Sequence, residues 1–322
     1  MSLLLKQRAI AAWLAVACIL SLAACNSPAN LETQTTPTLS TANPSPQVSG
    51  TPVRFGILVI DSAMSANERY APLLRYLEEA TGRPFELVPL TQDSQFGEVA
   101  AGNLDFMANN PLAAVQIRQL YKTDFLVTYS RPRTGTQFSG LIIVRRDSEI
   151  QTLEDLRDQK VACINFQKAA GGCVFQIDYL RQRGIDPFRD FSSFVENKSH
   201  DNIVLAVLNG TIDVGFIRTG QLEKMVENGS IENLDVVRVL APADDDFWLE
   251  HTTALYPEWP VVALKETDRQ LVQTVKTALL ALPPHHPALK AAQLERFVPA
   301  TDYSELEQLI ERLQLKRGDA RE

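Results

Sequence analysis

Cys173, His200 and Asp201 are the residues best suited to covalent chemistry, since a thiol, an imidazole and a carboxylate are the parts of a nucleophile, a general base and its orienting group. Nothing around them matches a catalytic signature, and Cys163 stands close by in the sequence as a partner for the Cys173 thiol. No phosphate loop, dinucleotide fingerprint or metalloprotease motif occurs. The chain is therefore not expected to be an enzyme, and its residues call for no cofactor.

A second set of residues suits reversible capture of a small anion. Arg218 offers a fixed, permanently charged guanidinium, and Thr219 beside it a hydroxyl. Gly171 and Gly172 precede a helical pattern and let backbone N–H groups approach a ligand closely, with Cys173 next in line. His200, just ahead of another helix, can donate to an anion. Ser62 follows the first strand, Asn109 and Asn110 follow the third, and Gln137 lies at an expected crossing between lobes. Such junctions collect ligands because unpaired N–H groups and the positive end of the helix dipole lie beyond the carboxyl ends of strands. Each residue also has a plainer use. Ser62 and Ser65 suit a helix cap, Asn110-Pro111 a helix start, and Gly171-Gly172 a tight turn. His200 can cap the helix after it, and Arg218 can be solvated or paired with Asp213. His285-His286 and Asp244-Asp245-Asp246 lack the spacing of a metal site, so no metal is expected.

These residues need strands and helices to place them. Short β-branched runs alternate with helical patterns, which argues for an α/β protein with largely parallel sheets. Strands are predicted at 53–60, 85–88, 104–108, 125–129, 138–144, 161–164, 191–195, 212–216 and 236–240. Residues 67–80 repeat apolar positions at helical spacing (Tyr70, Leu73, Leu74, Leu77, Ala80), and Thr81-Gly82 closes that helix. Helices are also expected over 96–101, 112–120, 172–183, 202–208 and 221–226. Residues 255–264 read as extended, and 268–282, 288–297 and 303–313 as helical with no strand left to pair. The order suggests one lobe from 52–136 and 251–322, with a second, 137–250, inserted in it and a hinge of two crossing segments. Trp248, Tyr256 and Trp259 gather near the return crossing and are expected to pack it, contact with the ligand being the alternative.

The N-terminus supplies an address. Lys6 and Arg8 precede an apolar run, Ala9 to Leu20, too short for a lasting membrane span, and Leu22-Ala23-Ala24-Cys25 follows where a peptidase would cut. Residues 1–24 therefore read as a lipoprotein signal peptide with Cys25 as the lipid attachment point, an ordinary secretory signal being the alternative. Residues 25–51, rich in Ser, Thr, Pro, Asn and Gln, read as a disordered tether. Removing 1–24 takes two basic and no acidic residues from totals of 31 and 39, leaving a net charge near −10. That argues against nucleic acid as a partner and makes any anion site a local one. With Cys18 lost and Cys25 acylated, Cys163 and Cys173 remain, and an extracytoplasmic setting favours a disulfide over two free thiols.

From about Arg54 to Leu313 the sequence resembles the phosphate/phosphite/phosphonate substrate-binding proteins of ABC transporters. The likeness rests on Tyr70-Ala71-Pro72-Leu73-Leu74, Ala101-Gly102-Asn103-Leu104-Asp105-Phe106, Asn110-Pro111, Ser139-Gly140-Leu141-Ile142-Ile143-Val144 and Leu153-Glu154-Asp155-Leu156. Gly184-Ile185-Asp186-Pro187, His200-Asp201-Asn202-Ile203-Val204 and Asn209-Gly210-Thr211-Ile212-Asp213-Val214-Gly215 belong to it too. The resemblance implies a type II periplasmic-binding-protein fold: two lobes, each a mixed sheet flanked by helices, closing on a small anionic solute as a monomer and delivering it to an ABC permease. Arg218-Thr219-Gly220-Gln221-Leu222-Glu223 and Leu255-Tyr256-Pro257-Glu258-Trp259-Pro260 are similar to the input domains of tetrathionate-sensor-type histidine kinases, which implies a membrane sensor kinase as the alternative partner.

Overall fold

The computed structural model describes residues 50–60 and 62–315. The expected signal peptide, the Cys25 attachment point and nearly all of the tether lie outside the described residues. Among the described residues no helix is long and apolar enough to cross a membrane.

The chain begins with β1 (Val53–Leu58), α1 (Ala63–Thr81), β2 (Phe85–Leu90), α2 (Ser94–Ala100), β3 (Phe106–Ala108), α3 (Pro111–Tyr121) and β4 (Asp124–Ser130). In α1 the Ser65 N–H donates to Ser62 Oγ at 3.1 Å, and Ala66, Tyr70, Leu73, Leu74 and Leu77 form the buried stripe. Gly82 ends the helix at φ 67°, a conformation that favours glycine, and donates its N–H to the Glu78 carbonyl. After β5 (Gln137–Phe138) come β6 (Gly140–Arg145), β7 (Lys160–Cys163), a π-helical turn (Ala170–Val174), α4 (Phe175–Arg181), α5 (Pro187–Asp190), β8 (Ser193–Glu196), α6 (His200–Leu208), β9 (Val214–Arg218), α7 (Gln221–Glu227) and β10 (Val237–Val239). The return runs through β11 (Tyr256–Pro257), β12 (Pro260–Ala263), α8 (Arg269–Ala281), α9 (Pro287–Ala292), β13 (Arg296–Pro299) and α10 (Ser304–Leu313).

These strands build two mixed sheets, one per lobe, in the orders β13-β4-β12-β3-β1-β2 and β10-β6-β9-β7-β8. The expectation of largely parallel sheets is corrected here. Only the β1 pairings with β2 and β3 and the β7 pairings with β8 and β9 are parallel. Coming back from the second lobe, the chain lays β12 antiparallel between β3 and β4, and β13 pairs antiparallel with β4. β13 also corrects the helix expected over 288–297. Gln293 takes a left-handed φ of 58°, which stops α9, and Phe297 then sits opposite Tyr129.

The two crossings pair with each other, Tyr256 opposite Phe138 and Pro257 opposite Gln137. The single strand predicted over 138–144 is broken at Ser139, whose N–H takes the Thr219 hydroxyl at 2.9 Å and whose own hydroxyl donates to the Thr253 carbonyl at 2.7 Å. Each sheet is covered on both faces. α1, α8 and α9 pack one side of the first sheet, and α2 and α3 the other. The π-helical turn and α4 cover one face of the second sheet, α6 and α7 the opposite one. A further core joins the lobes: Leu306, Leu309 and Ile310 of α10 pack with Leu112 and Val115 of α3, with Val174 of the π-helical turn and with Phe175 of α4. Arg118–Glu307 at 2.8 Å and Arg312–Asp178 at 2.7 Å pin α10 to the two sides. Tyr256 and Phe138 lie in that core and Trp259 stacks near Tyr129, whereas Trp248 is exposed.

Candidate functional site

A buried charge cluster lies where the lobes meet. β4 runs into a turn closed by reciprocal backbone hydrogen bonds between Arg131 and Gly135, both 2.8 Å, which fixes Arg131 and Thr134 beside the hinge. β9 ends on Arg218, and the junction of β11 with β12 carries Glu258. The Glu258 side chain is fully buried, and a bare carboxylate could not remain charged there. It accepts from Arg131 Nε at 3.0 Å, Arg218 Nη2 at 2.7 Å, Thr134 Oγ1 at 3.0 Å and its neighbour Trp259 N at 3.3 Å. Burial pushes the Glu258 pKa up, but the two guanidiniums outweigh that and hold it below the usual carboxylate range. The cations also lie on aromatic faces. The Arg131 guanidinium is 5.4 Å from the Tyr129 ring centre and 5.3 Å from that of Trp259, and the Arg218 guanidinium is 4.8 Å from that of Phe138. Two cations against one carboxylate leave one positive charge.

Sequence reasoning offered Asp213 as a partner for Arg218. Asp213 instead accepts from the Lys160 backbone N–H at 2.9 Å, tying β7 to the start of β9. Glu258 was missed as a site residue, its only signal being its place in the Tyr-Pro-Glu-Trp-Pro run at the return crossing.

Around Arg218 the second lobe gathers several expected residues. The Gly171 carbonyl accepts from the buried Gln176 amide at 2.9 Å. Gly172 lies against the His200 ring, so closely that a Cβ there would stand 2.5 Å from His200 Cε1. His200 Nδ1 is buried without a hydrogen-bond partner. Burial, and then the charges of Arg218 and Lys224, push the His200 pKa down to about 3, so the ring is neutral at pH 7. This has a testable consequence. The unfolded imidazole binds its proton near pH 6.5 and the folded one near 3, so the unfolded chain holds more protons in between. Stability is intact above pH 6.5 and falls as the pH drops toward 3, by at most about 1.4 kcal/mol per pH unit for one proton. His200→Gln should remove that share of the acid slope in denaturant titrations, and equal slopes for the two proteins would refute the assignment.

Two expected ligand residues are used up internally. Thr219 Oγ1 accepts from the Ser139 N–H and lies 3.3 Å from the Ser139 carbonyl, so it braces the hinge. Cys173 is joined to Cys163, with both sulfurs in the core of the second lobe, so it offers no thiol to a ligand or to an acyl-transfer reaction. Asp201 accepts from Gln221 Nε2 and does not orient His200.

In the first lobe Asn110 caps α3 by accepting from Ala113 N at 3.0 Å, and its amide donates to Gln92 Oε1 at 3.1 Å. Asn109 is fully buried. Its amide donates to Gln95 Oε1 at 2.9 Å, and its Oδ1 has no partner. Gln92 and Gln95, not singled out in the sequence, thus complete an amide cluster at the β2–α2 and β3–α3 junctions. Ser62 is exposed as the α1 cap, and Gln137 is exposed on β5. Two ion pairs tie the loops of the two lobes: Lys168, ahead of the π-helical turn, meets Asp93 ahead of α2, and Arg133 meets Glu227 of α7. His286 caps α9 through Nδ1 and packs edge-on against Tyr76.

A model of the family described as the periplasmic phosphonate substrate-binding proteins of ABC transporters matches residues 55–304. The tetrathionate sensor histidine kinase of Salmonella typhimurium is 28% identical over 234 residues, which are 71% of this chain and 39% of that protein. The chain thus spans about two fifths of the length of that curated relative. Among solved structures, a protein from Prochlorococcus marinus in complex with methylphosphonate is similar at a TM-score of 0.67 and 15% identity, over 82% of this chain and 98% of that one. The binding protein component of an ABC phosphonate transporter from Pseudomonas aeruginosa gives a TM-score of 0.64 at 18% identity, over 83% and 86% of the two chains. A protein from Xanthomonas citri bound to ATP gives 0.67 at 21% identity, over 82% and 98%. These likenesses carry the fold, the two-lobed type II periplasmic-binding architecture.

Proposed function

The chain belongs to the periplasmic phosphonate substrate-binding proteins of ABC transporters, and on that premise we propose that it captures a small oxyanion of phosphorus or sulfur between its lobes. It does so as a monomer held outside the cytoplasmic membrane by lipid on Cys25, and it passes the solute to an ABC permease. The observation that carries the reading is the surplus positive charge of Arg131, Glu258 and Arg218, set at the hinge beside the glycine turn and the unpartnered His200 Nδ1. Arg218 is the ligand's charge contact, Gly171 and Gly172 bring backbone close, and closure of the lobes buries the solute.

A thermal-shift and calorimetric screen of the mature protein against phosphate, phosphite, methylphosphonate, alkylsulfonates and sulfur oxyanions tests this. A ligand at about a hundred times its dissociation constant adds roughly 3 kcal/mol of stability. Arg218→Ala should weaken its binding at least about tenfold, the order expected for a lost charge-assisted hydrogen bond. Undiminished affinity in that variant removes Arg218 from the site, and failure of every anion to bind overturns the proposal.

The likeness to a sensor kinase favours a second reading, in which the same capture reports the solute to a separate membrane kinase. Under the transport reading, deleting the gene abolishes uptake of the identified ligand. Retained uptake with a lost transcriptional response selects the sensor.

A further inference from the structure

We infer that Glu258 sets the charge of the ligand this site accepts, holding the site at a single net positive charge so that it selects a monoanion over a dianion. The inference rests on the proposal that an anion binds at Arg218, and it adds a residue that is not itself a ligand contact. Glu258 is a positioning residue. Its Oε1 takes Arg218 Nη2 and Thr134 Oγ1, its Oε2 takes Arg131 Nε, and its backbone is fixed by Thr136 and by the Tyr303 hydroxyl at 2.8 Å. Held by donors on both oxygens, the carboxylate cannot swing aside when an anion arrives. Its charge is subtracted permanently from the pair of guanidiniums.

Arg69, Glu295 and Arg296, on the Arg131 side, are unchanged in every variant below and cancel from their comparison. Lys168 is matched by Asp93, Arg133 by Glu227, and His200 is neutral. Lys224, whose charge His200 also feels, is retained in every variant below and cancels from their comparison. Within the Arg131–Glu258–Arg218 cluster, an anion beside Arg218 therefore meets one surplus charge. A dianion brings one more negative charge than the site neutralises, and Glu258, touching the same guanidinium, repels it. For a ligand within about 6 Å of Glu258 and an effective dielectric of about 20, one unit of charge changes the preference on the order of tenfold to hundredfold.

Methanesulfonate and sulfate, permanent mono- and dianions near neutral pH, serve as probes for the mature protein. The wild type should bind methanesulfonate more tightly. Glu258→Gln, which raises the site to two positive charges, should move the affinity ratio toward sulfate by about tenfold or more. The double variant Arg131→Gln/Glu258→Gln restores one net charge and should restore the original ratio, which a merely structural role for Glu258 does not foresee. If Glu258→Gln fails to fold, Arg131→Gln alone, at zero net charge, is compared with the double variant. The double variant should bind methanesulfonate about tenfold more tightly. Equal ratios in wild type and Glu258→Gln, or equal affinities in that second comparison, overturn the inference while leaving anion capture standing. If neither probe binds the wild type saturably, this inference fails; if no anion of the wider screen binds either, the reading of anion capture fails with it.

Discussion

Glu258→Ala is expected to cost about 3–5 kcal/mol of folding stability, the range for removing one partner of a buried charge pair. The carboxylate is fully buried and both cations beside it are largely so, with Arg131 14% and Arg218 20% exposed in their side chains. Deleting it leaves two guanidiniums facing each other with no counter-charge, and the Thr134 hydroxyl and Trp259 N–H lose their acceptor as well. The cost falls on the hinge. Glu258 joins a turn of the first lobe to the last residue of β9 in the second, so its loss also loosens the angle at which the lobes meet. Urea titration of wild type and variant measures the effect. A change under about 1 kcal/mol would mean that solvent already compensates these charges, against the buried geometry.

Replacing both Cys163 and Cys173 by alanine should remove about 3 kcal/mol, the chain-entropy value for a cross-link spanning a sequence separation of 10. The position of the bond gives it a second effect. It joins the last residue of β7 to the π-helical turn and encloses the whole segment that carries Lys168, Gly171 and Gly172. Without it, that segment is held by Gln176, by the Ile164 N–H on the Gly172 carbonyl at 3.0 Å, and by the Lys168–Asp93 pair. Anion affinity should therefore fall along with stability, on the order of tenfold, because the bound turn must first be ordered. Reductant should reproduce both losses in the wild type and neither in the double variant. An unchanged unfolding midpoint on reduction would contradict the bond's contribution.

Local rules reached far into this fold. The apolar stripe of α1 and its Gly82 stop follow from residues three and four apart and from a backbone position suited to glycine. Asn110-Pro111 reads as a helix start, and the asparagine caps that helix through its side chain. Where the reading stopped short, the deciding contacts were distant. Residues 296–299 carry no alternation strong enough to override helical neighbours, and β13 exists because β4 presents a free edge to it. The helix expected from Gly172 begins instead as a π-helical turn at Ala170, in the segment tied by the disulfide and by Gln176. The strand predicted over 138–144 breaks at Ser139 because Thr219 and Thr253 claim that residue's hydrogen bonds.

The amino-acid order alone determined the class of protein, the alternation of strands and helices, the two crossings, and which strand ends would meet helix starts. Those follow from periodicity, caps and turn residues, whose physics acts over a few positions. Only the tertiary structure decided which charge answers Arg218, since Glu258 is 40 residues away and reaches it only after the second lobe has been inserted and the chain has returned. It likewise decided that Thr219 braces the hinge and that Asp93 and Lys168 face each other across the lobes. The reason is that a buried charge takes whatever counter-charge the packed elements deliver, and pairings so distant along the chain leave no trace in local pattern.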